Sequence, residues 1–259
     1  MGPFCFKQFS LNHERSAMPV NTDGVLLGAW AGLCGTDASL RILDVGTGCG
    51  IVALMMAQRF PEATIDALDI DLPSVEEAAE NAVSSPWSSR IAVYCSDFRN
   101  FEAEHPYDLI VSNPPFFLDS LKTPDARRTN ARHSHSGSLP HGALLRRAAA
   151  LLGSSGQFAV ILPADQAESF LEMAALAKPF PLYLNRRTNV YSHKGKPAFR
   201  VLLSLGRAKE KQGEDALFIY NETGAEYNPV YIQLVKDFSE IFFSMYSRNN
   251  LLLKCSSAR

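Results

Sequence analysis

The chain has 259 residues, of which 46% are hydrophobic and 20% charged, enough for one large domain with a substantial core. No run of about 18 apolar residues occurs, and the N-terminus MGPFCFKQF lacks the apolar stretch of a secretory leader. A helical membrane protein is therefore excluded, and a cytoplasmic location is expected. The formal net charge of -2 excludes a uniformly basic nucleic-acid binder. It hides two basic runs, however. Lys122, Arg127, Arg128, Arg132, Arg146 and Arg147 stand against Asp125, and Arg186, Arg187, Lys194, Lys196, Arg200, Arg207, Lys209 and Lys211 against Glu210. Such a split would give a near-neutral protein one positive face for a phosphate-rich partner, the alternative being solvated loops that are simply basic. The five cysteines are scattered and never spaced as CxxC, which predicts free thiols and no zinc site.

In chain order, Thr22 followed by DGVLLGAWAGL predicts a capped helix. RILDV (41 to 45) reads as a short buried strand running into GTGCG, and IVALMMAQRF then has helical spacing. ATIDAL (63 to 68) predicts a second strand, Pro73 to Val83 a helix with proline at its start, and RIAVYC (90 to 95) a third strand. Asp108 to Ser112 is the fourth strand, Leu139 to Leu152 a helix ended by Gly153, and QFAVIL (157 to 162) the fifth strand. A helix over about Ala164 to Ala177 and strands near Leu182 to Val190 and Phe199 to Leu205 complete the pattern. Alternation of this kind implies an α/β, Rossmann-like fold, with a seven-stranded, mostly parallel, doubly wound sheet. The last two strands are joined too closely for a crossover helix, so one of them runs antiparallel. Residues 1 to 238 read as a single domain with an N-terminal helical cap over about 1 to 40, and 239 to 259 as an irregular tail.

The first chemical motif is Asp44-Val45-Gly46-Thr47-Gly48-Cys49-Gly50, a strand end entering a glycine turn and then a helix. Glycines let a ligand approach the backbone amides with no Cβ in the way. An acid two residues before GxGxG is the S-adenosylmethionine pattern, whereas nicotinamide and flavin sites more often show GxGxxG. Asp69 follows about 20 residues later at the end of the second strand, where a carboxylate accepts from both ribose hydroxyls, with Asp71 as the alternative. Asp97, after the third strand, is placed to accept from the cofactor adenine's amino group, and Phe98 offers an apolar wall or a backbone amide. These acids fall at the sheet edge where open α/β folds bind ligands.

The fourth strand delivers SNPPFF to that same edge. An adenine amino group is a poor nucleophile because its lone pair is delocalised into the ring. Acceptors aimed at its two hydrogens favour a more pyramidal nitrogen. Asn113 supplies a side-chain carbonyl and Pro114 a backbone carbonyl; the Pro114-Pro115 pair stiffens the loop, and Phe116 stacks on the base. The sulfonium already carries a good leaving group, so this chemistry calls for alignment rather than a metal or covalent nucleophile.

FKQF (6 to 9), NTDGVLLGAWA (21 to 31), ILDVGTGCG (42 to 50), SPW (85 to 87), NPPFF (113 to 117), ARH before SLP (131 to 140) and LFIYNETGAEYNPVYIQLVKDF (217 to 238) together resemble one family. It is the bacterial class I methyltransferases that modify the 6-amino group of adenosine-37 in valine tRNA. The glycine and NPPF motifs are widely shared among methyltransferases; the TDGVLLGAWA helix is far more specific. The resemblance implies S-adenosyl-L-methionine as cofactor, S-adenosyl-L-homocysteine as product, no metal, a tRNA substrate, no membrane and no obligate protein partner. It places Asn113, Pro114, Pro115 and Phe116 in the catalytic loop and Asp69 on the ribose. Asp44, Gly46, Gly48 and Gly50 would surround the methionine part, Thr22 its lid, and Asp97 and Phe98 the cofactor adenine. Arg132 and the basic runs, with Lys122, Arg127, Arg128, Arg186, Arg187, Lys194 and Lys196, would meet tRNA phosphates. Pro19 and Asn21 stand where the family pattern suggests a lysine and a glycine, and the tail after Phe238 matches nothing in that pattern.

Other readings are weaker. His133, His135 and His141 lack the carboxylate or cysteine spacing of a metal site. Trp30, Trp87, Met55 and Met56 sit among apolar neighbours and read as packing. A glutamine side-chain amide presents the same NH2 geometry to an NPPF loop, so a protein glutamine N5-methyltransferase is the nearest alternative, followed by an adenine N6-methyltransferase on another RNA or on DNA. Such a glutamine enzyme would usually carry an N-terminal helical substrate domain, and only about 20 residues precede the first helix here. A non-catalytic RNA-binding relative would be expected to lose the glycines, the ribose acid or Asn113, and all are present.

Overall fold

The computed structural model describes residues 2–32, 39–115, 139–209 and 213–238. Its centre is an eight-stranded sheet built from β3 (Arg41–Val45), β4 (Thr64–Asp69), β5 (Ile91–Cys95), β6 (Tyr107–Ser112), β7 (Leu152–Pro163), β8 (Tyr183–Tyr191), β9 (Ala198–Gly206) and β10 (Gly213–Phe218). The spatial order is β10-β8-β9-β7-β6-β3-β4-β5. Every pairing is parallel except those of β9, which runs antiparallel to both β7 and β8. The seven expected strands are all present, one of them antiparallel. β10 adds an eighth at the edge, paired in parallel with β8. Its sequence GEDALF is exposed over its first four residues, so no apolar alternation announces it.

The helices are α1 (Thr22–Trp30), α2 (Ile51–Arg59), α3 (Leu72–Val83), α4 (His141–Leu151), α5 (Ala167–Ala175) and α6 (Pro229–Val235). Core residues fall into two clusters. One contains α1, α2 and α6 side chains, and the other α4 and α5 side chains. Both include β3 and β6 residues, as expected for strands covered on both faces. α1 and α2 pack closely because Gly28 has no side chain; a Cβ there would lie 2.6 Å from Met55 Sδ. Met55, Met56 and Trp30 are buried, and Trp30 Nε1 donates to Thr188 Oγ1 at 2.8 Å.

The expected helical cap is mixed. A hairpin of β1 (Phe4–Cys5) and β2 (Ser10–Leu11) comes first, then a strap through residues 12 to 18 that bends over 14 to 18, and only then α1. Asn21 rather than Thr22 caps α1, its Oδ1 accepting from Gly24 N at 2.8 Å. Cys5 is disulfide-bonded, against the expectation of free thiols throughout, whereas Cys49 and Cys95 are free. Among the described residues no helix is long and apolar enough to cross a membrane.

Candidate active site

The parallel register sets the site. Val45 lies opposite Leu68 and Ser112, and Asp69 opposite Cys95, so the turns after β3, β4, β5 and β6 leave the sheet at one level. Ser112 Oγ donates to Val45 O at 2.9 Å, tying the end of the NPP strand to the start of the glycine turn.

In that turn Gly46, Gly48 and Gly50 all have positive φ, at 72°, 55° and 85°. A side chain would be strained at each. The amides of Gly46 and Thr47 donate to Leu68 O at 2.8 and 2.9 Å. A Cβ built on Gly46 would meet nothing within 4 Å, so the turn leaves open space beside its backbone. The chemistry of this cradle fits a nucleoside cofactor with a cationic amino acid part.

Asp44 is buried beneath the turn. Its Oδ2 accepts from Thr47 Oγ1 at 2.6 Å and from Ala53 N at 3.0 Å, so the carboxylate also clamps the loop to the first turn of α2. Burial pushes its pKa up to about 7, and neighbouring Asp69 adds to the rise, while the Thr47 and Ala53 bonds oppose it. The Cys49 thiol is pushed up to about 12 by burial, which leaves it unreactive.

Asp69 Oδ2 accepts from Gly48 N at 2.9 Å and its Oδ1 from Asp71 N at 3.0 Å. Asp71 is the N-cap of α3 through Ser74 N, which leaves Asp69 as the acid turned to the glycine turn. Ile70, 43% exposed between the two acids, is an apolar surface that the motif reading passed over. An exposed isoleucine at the carboxyl end of a buried strand was its signal.

Asp97 follows β5, and its carboxylate takes the Arg99 guanidinium Nε at 2.9 and 2.8 Å. That pairing holds its pKa below the usual carboxylate range. Oδ1 also accepts from the Arg99 amide at 2.9 Å and Oδ2 meets the Arg99 Nη2, so a ligand at this carboxylate would compete with Arg99. Phe98 corrects the expectation of an apolar wall: its ring is 4% exposed and packed in the core, so only its backbone remains for a cofactor.

Asn113 stands at the end of β6. Its Nδ2 points to Met18 Sδ at 3.8 Å, while its buried Oδ1 has no hydrogen-bond partner. A buried acceptor without a donor is costly and calls for an explanation. Pro114 is buried and Pro115 exposed; Phe116 lies outside the described residues. Thr22 is exposed at the start of α1.

The basic residues divide. Lys194 and Lys196 lie in the turn after β8, at the carboxyl edge, with Lys194 Nζ 2.7 Å from Glu222 Oε1. Arg186 and Arg187 sit earlier in β8 on opposite faces. Arg186 pairs with Asp215 at 3.3 Å over the Trp30 ring, and Arg187 with Glu168 at 2.7 Å. The structure does not bring these two to the shared edge. Acids from other segments also weaken the expected positive face, as where Arg200 meets Asp23 at 2.9 Å. Lys122, Arg127, Arg128, Arg132, His133 and His135 lie outside the described residues. His141 packs edge-on against Phe170. Among the described residues no group of three or more His, Cys, Asp or Glu side chains could hold a metal ion.

A parallel sheet with one antiparallel strand, a glycine turn backed by acids and an NPP loop at the same edge define a class I methyltransferase. The family model of the methyltransferase small domain matches residues 33–176. A chain described as a predicted O-methyltransferase from Agrobacterium tumefaciens shares the fold, with a TM-score of 0.62 at 18% identity, covering 83% of this chain and 96% of that one. A Bacteroides fragilis protein named tRNA1(Val) (adenine(37)-N6)-methyltransferase is 43% identical over 238 residues, covering 91% of this chain and 96% of its own. A Phocaeicola vulgatus protein of the same name is 46% identical over 235 residues, with 91% and 96% covered. The chain belongs to the methyltransferase small domain family and, within it, to the tRNA1(Val) (adenine(37)-N6)-methyltransferases.

Proposed function

We propose that this protein transfers a methyl group from S-adenosyl-L-methionine to the exocyclic 6-amino group of adenosine 37 in valine tRNA. The observation that carries the reading is the unpartnered, buried Oδ1 of Asn113 at the mouth of the glycine turn. An acceptor held there is satisfied by an amino hydrogen of the substrate base, which explains why the protein tolerates it.

The bound cofactor supplies an electrophilic methyl group on a sulfonium and leaves as S-adenosyl-L-homocysteine, so the transfer calls for no metal. Asp69 would hold the ribose hydroxyls while keeping Gly48 in place, and Asp44, Gly46, Gly48 and Gly50 would surround the methionine part. Asp97 and the Phe98 backbone would meet the cofactor adenine, with Ile70 as an apolar surface beside it. Thr22 belongs to the lid. Asn113 Oδ1 and Pro114 O would orient the two amino hydrogens of the target base, Pro115 would stiffen the loop, and Phe116 would stack on the base. The amino nitrogen sheds its proton to water after transfer. Lys194 and Lys196, with Lys122, Arg127, Arg128 and Arg132, would contact tRNA phosphates. This substrate suits a cytoplasmic protein.

The test is methyl transfer from labelled S-adenosyl-L-methionine to bulk bacterial tRNA, followed by digestion and mass spectrometry of nucleosides. New N6-methyladenosine at position 37 of valine tRNA supports the proposal. Cofactor binding with no tRNA methylation contradicts it.

A further inference from the structure

α3 carries a buried polar stripe that the chemistry above does not use. Ser74, Glu77 and Asn81 are spaced three and four residues apart, which puts them on one helix face. Their exposures are 0%, 1% and 2%. A buried carboxylate without compensation is strongly unfavourable, so its partners identify its role. Glu77 Oε1 accepts from Glu14 N at 2.9 Å and Arg15 N at 3.1 Å, and Oε2 from Ser16 N at 2.8 Å. Ser74 Oγ accepts from Ala17 N at 3.1 Å. Asn81 accepts from Asn12 N and donates to Asn12 O, both at 2.8 Å, and its Nδ2 also reaches Cys49 O in the glycine turn. The stripe thus docks the strap of residues 12 to 18.

The docked strap reaches the site at two points. A Cβ on Gly48 would lie 3.2 Å from Ser16 Oγ and 3.6 Å from Met18 O, so the strap lies directly on the glycine turn. Met18 Sδ takes the Nδ2 end of Asn113, and sulfur here can only accept. That contact selects which end of the amide is left facing the substrate.

We infer that Glu77 is a positioning residue for methyl transfer: through three strap amides it fixes the roof of the cofactor turn and the orientation of Asn113. This rests on the methyltransferase reading above.

The experiment compares the full-length protein with its Glu77→Ala and Glu77→Gln variants. Hydrogen exchange is followed at amides 14 to 16, cofactor Kd by calorimetry, and kcat and KM by tRNA methylation. In Glu77→Ala the three amides lose protection, cofactor Kd weakens about tenfold, kcat falls at least tenfold, and the KM for tRNA stays within about twofold. Glu77→Gln restores part of each effect, since its amide has one oxygen for three donors. Loss of protection with kcat and Kd unchanged reduces Glu77 to a tether and overturns the inference; retained protection overturns it as well. Should Glu77→Ala not fold, Ser74→Ala removes one anchor, that of Ala17 N, and leaves the three amides on Glu77 paired. It is expected to shift kcat and Kd in the same direction, and unchanged values count against the inference. If the wild-type protein binds cofactor but methylates no tRNA, the functional reading fails, while exchange and cofactor Kd still decide whether the strap forms the roof.

Discussion

The carboxylate of Asp69 accepts the backbone N–H of Gly48 at 2.9 Å, so the acid after β4 and the turn after β3 form one unit. Replacing Asp69 releases the turn and, on the proposed assignment, removes a ligand for ribose at the same time. Charge-assisted hydrogen bonds contribute about 1.5–3 kcal/mol each, so Asp69→Ala should weaken cofactor Kd by one to two orders of magnitude or more, read by calorimetry. Asp69→Asn, which keeps an acceptor for Gly48, should lose less. An unchanged Kd in Asp69→Ala rules out the ribose assignment.

Asn113→Ala should behave differently. The variant loses an acceptor that has no partner before substrate arrives, so its stability and its affinities for cofactor and tRNA should hold. Loss of one positioned polar group at a reacting centre lowers kcat by roughly 10²–10³. Equal losses in binding and in rate would contradict a catalytic role.

Asp44 makes cofactor binding pH-dependent. Its folded pKa of about 7 lies above an unfolded value near 4. The native protein therefore holds a proton that the unfolded chain releases between those values. The contribution to stability is complete below pH ~4 and is lost as pH rises through about 7, on the order of a few kcal/mol. Denaturant titrations should show Asp44→Asn gaining on the wild type across that window. The cofactor's positive charges favour the ionised carboxylate, so Kd should tighten as pH rises through 7, with proton release visible as a buffer-dependent enthalpy. Asp44→Asn should abolish that release; its persistence in the variant assigns the proton elsewhere.

Lys194 and Lys196 are the basic residues named for tRNA that the described structure brings to the carboxyl edge. Lys194→Ala and Lys196→Ala should each raise the KM for tRNA a few-fold and reduce the salt slope of binding by about 0.7–1. The KM for cofactor should not move. Arg186→Ala serves as the contrast, because Arg186 lies inside β8, away from that edge, with its guanidinium against Asp215 and Trp30. A larger effect from Arg186 than from the two lysines would relocate the tRNA surface.

The parts of the fold written in local pattern were legible. Apolar runs such as RILDV and YDLIVS are buried strands because both sheet faces are covered, and Asp44, Asp69 and Asp97, at or after the carboxyl ends of β3, β4 and β5, mark the ligand edge. Long-range relationships were not. β10 is an edge strand with little to bury, so its composition reads as loop. Phe98 showed its type but not its direction, and the chain turns its ring into the core. The cap of α1 slipped by one residue because Asn21 and Thr22 both favour that position. Glu77 was the least visible. Within SVEEAAENAV it looks like one more solvent-facing acid, and the amides that bury it lie more than 60 residues away.

That separation orders events during synthesis. The strap leaves the ribosome long before α3, Glu77 following Ser16 by 61 positions. A nascent chain that already carries the glycine turn still lacks the helix that secures its roof, and premature capture of the cofactor is disfavoured until α3 has emerged.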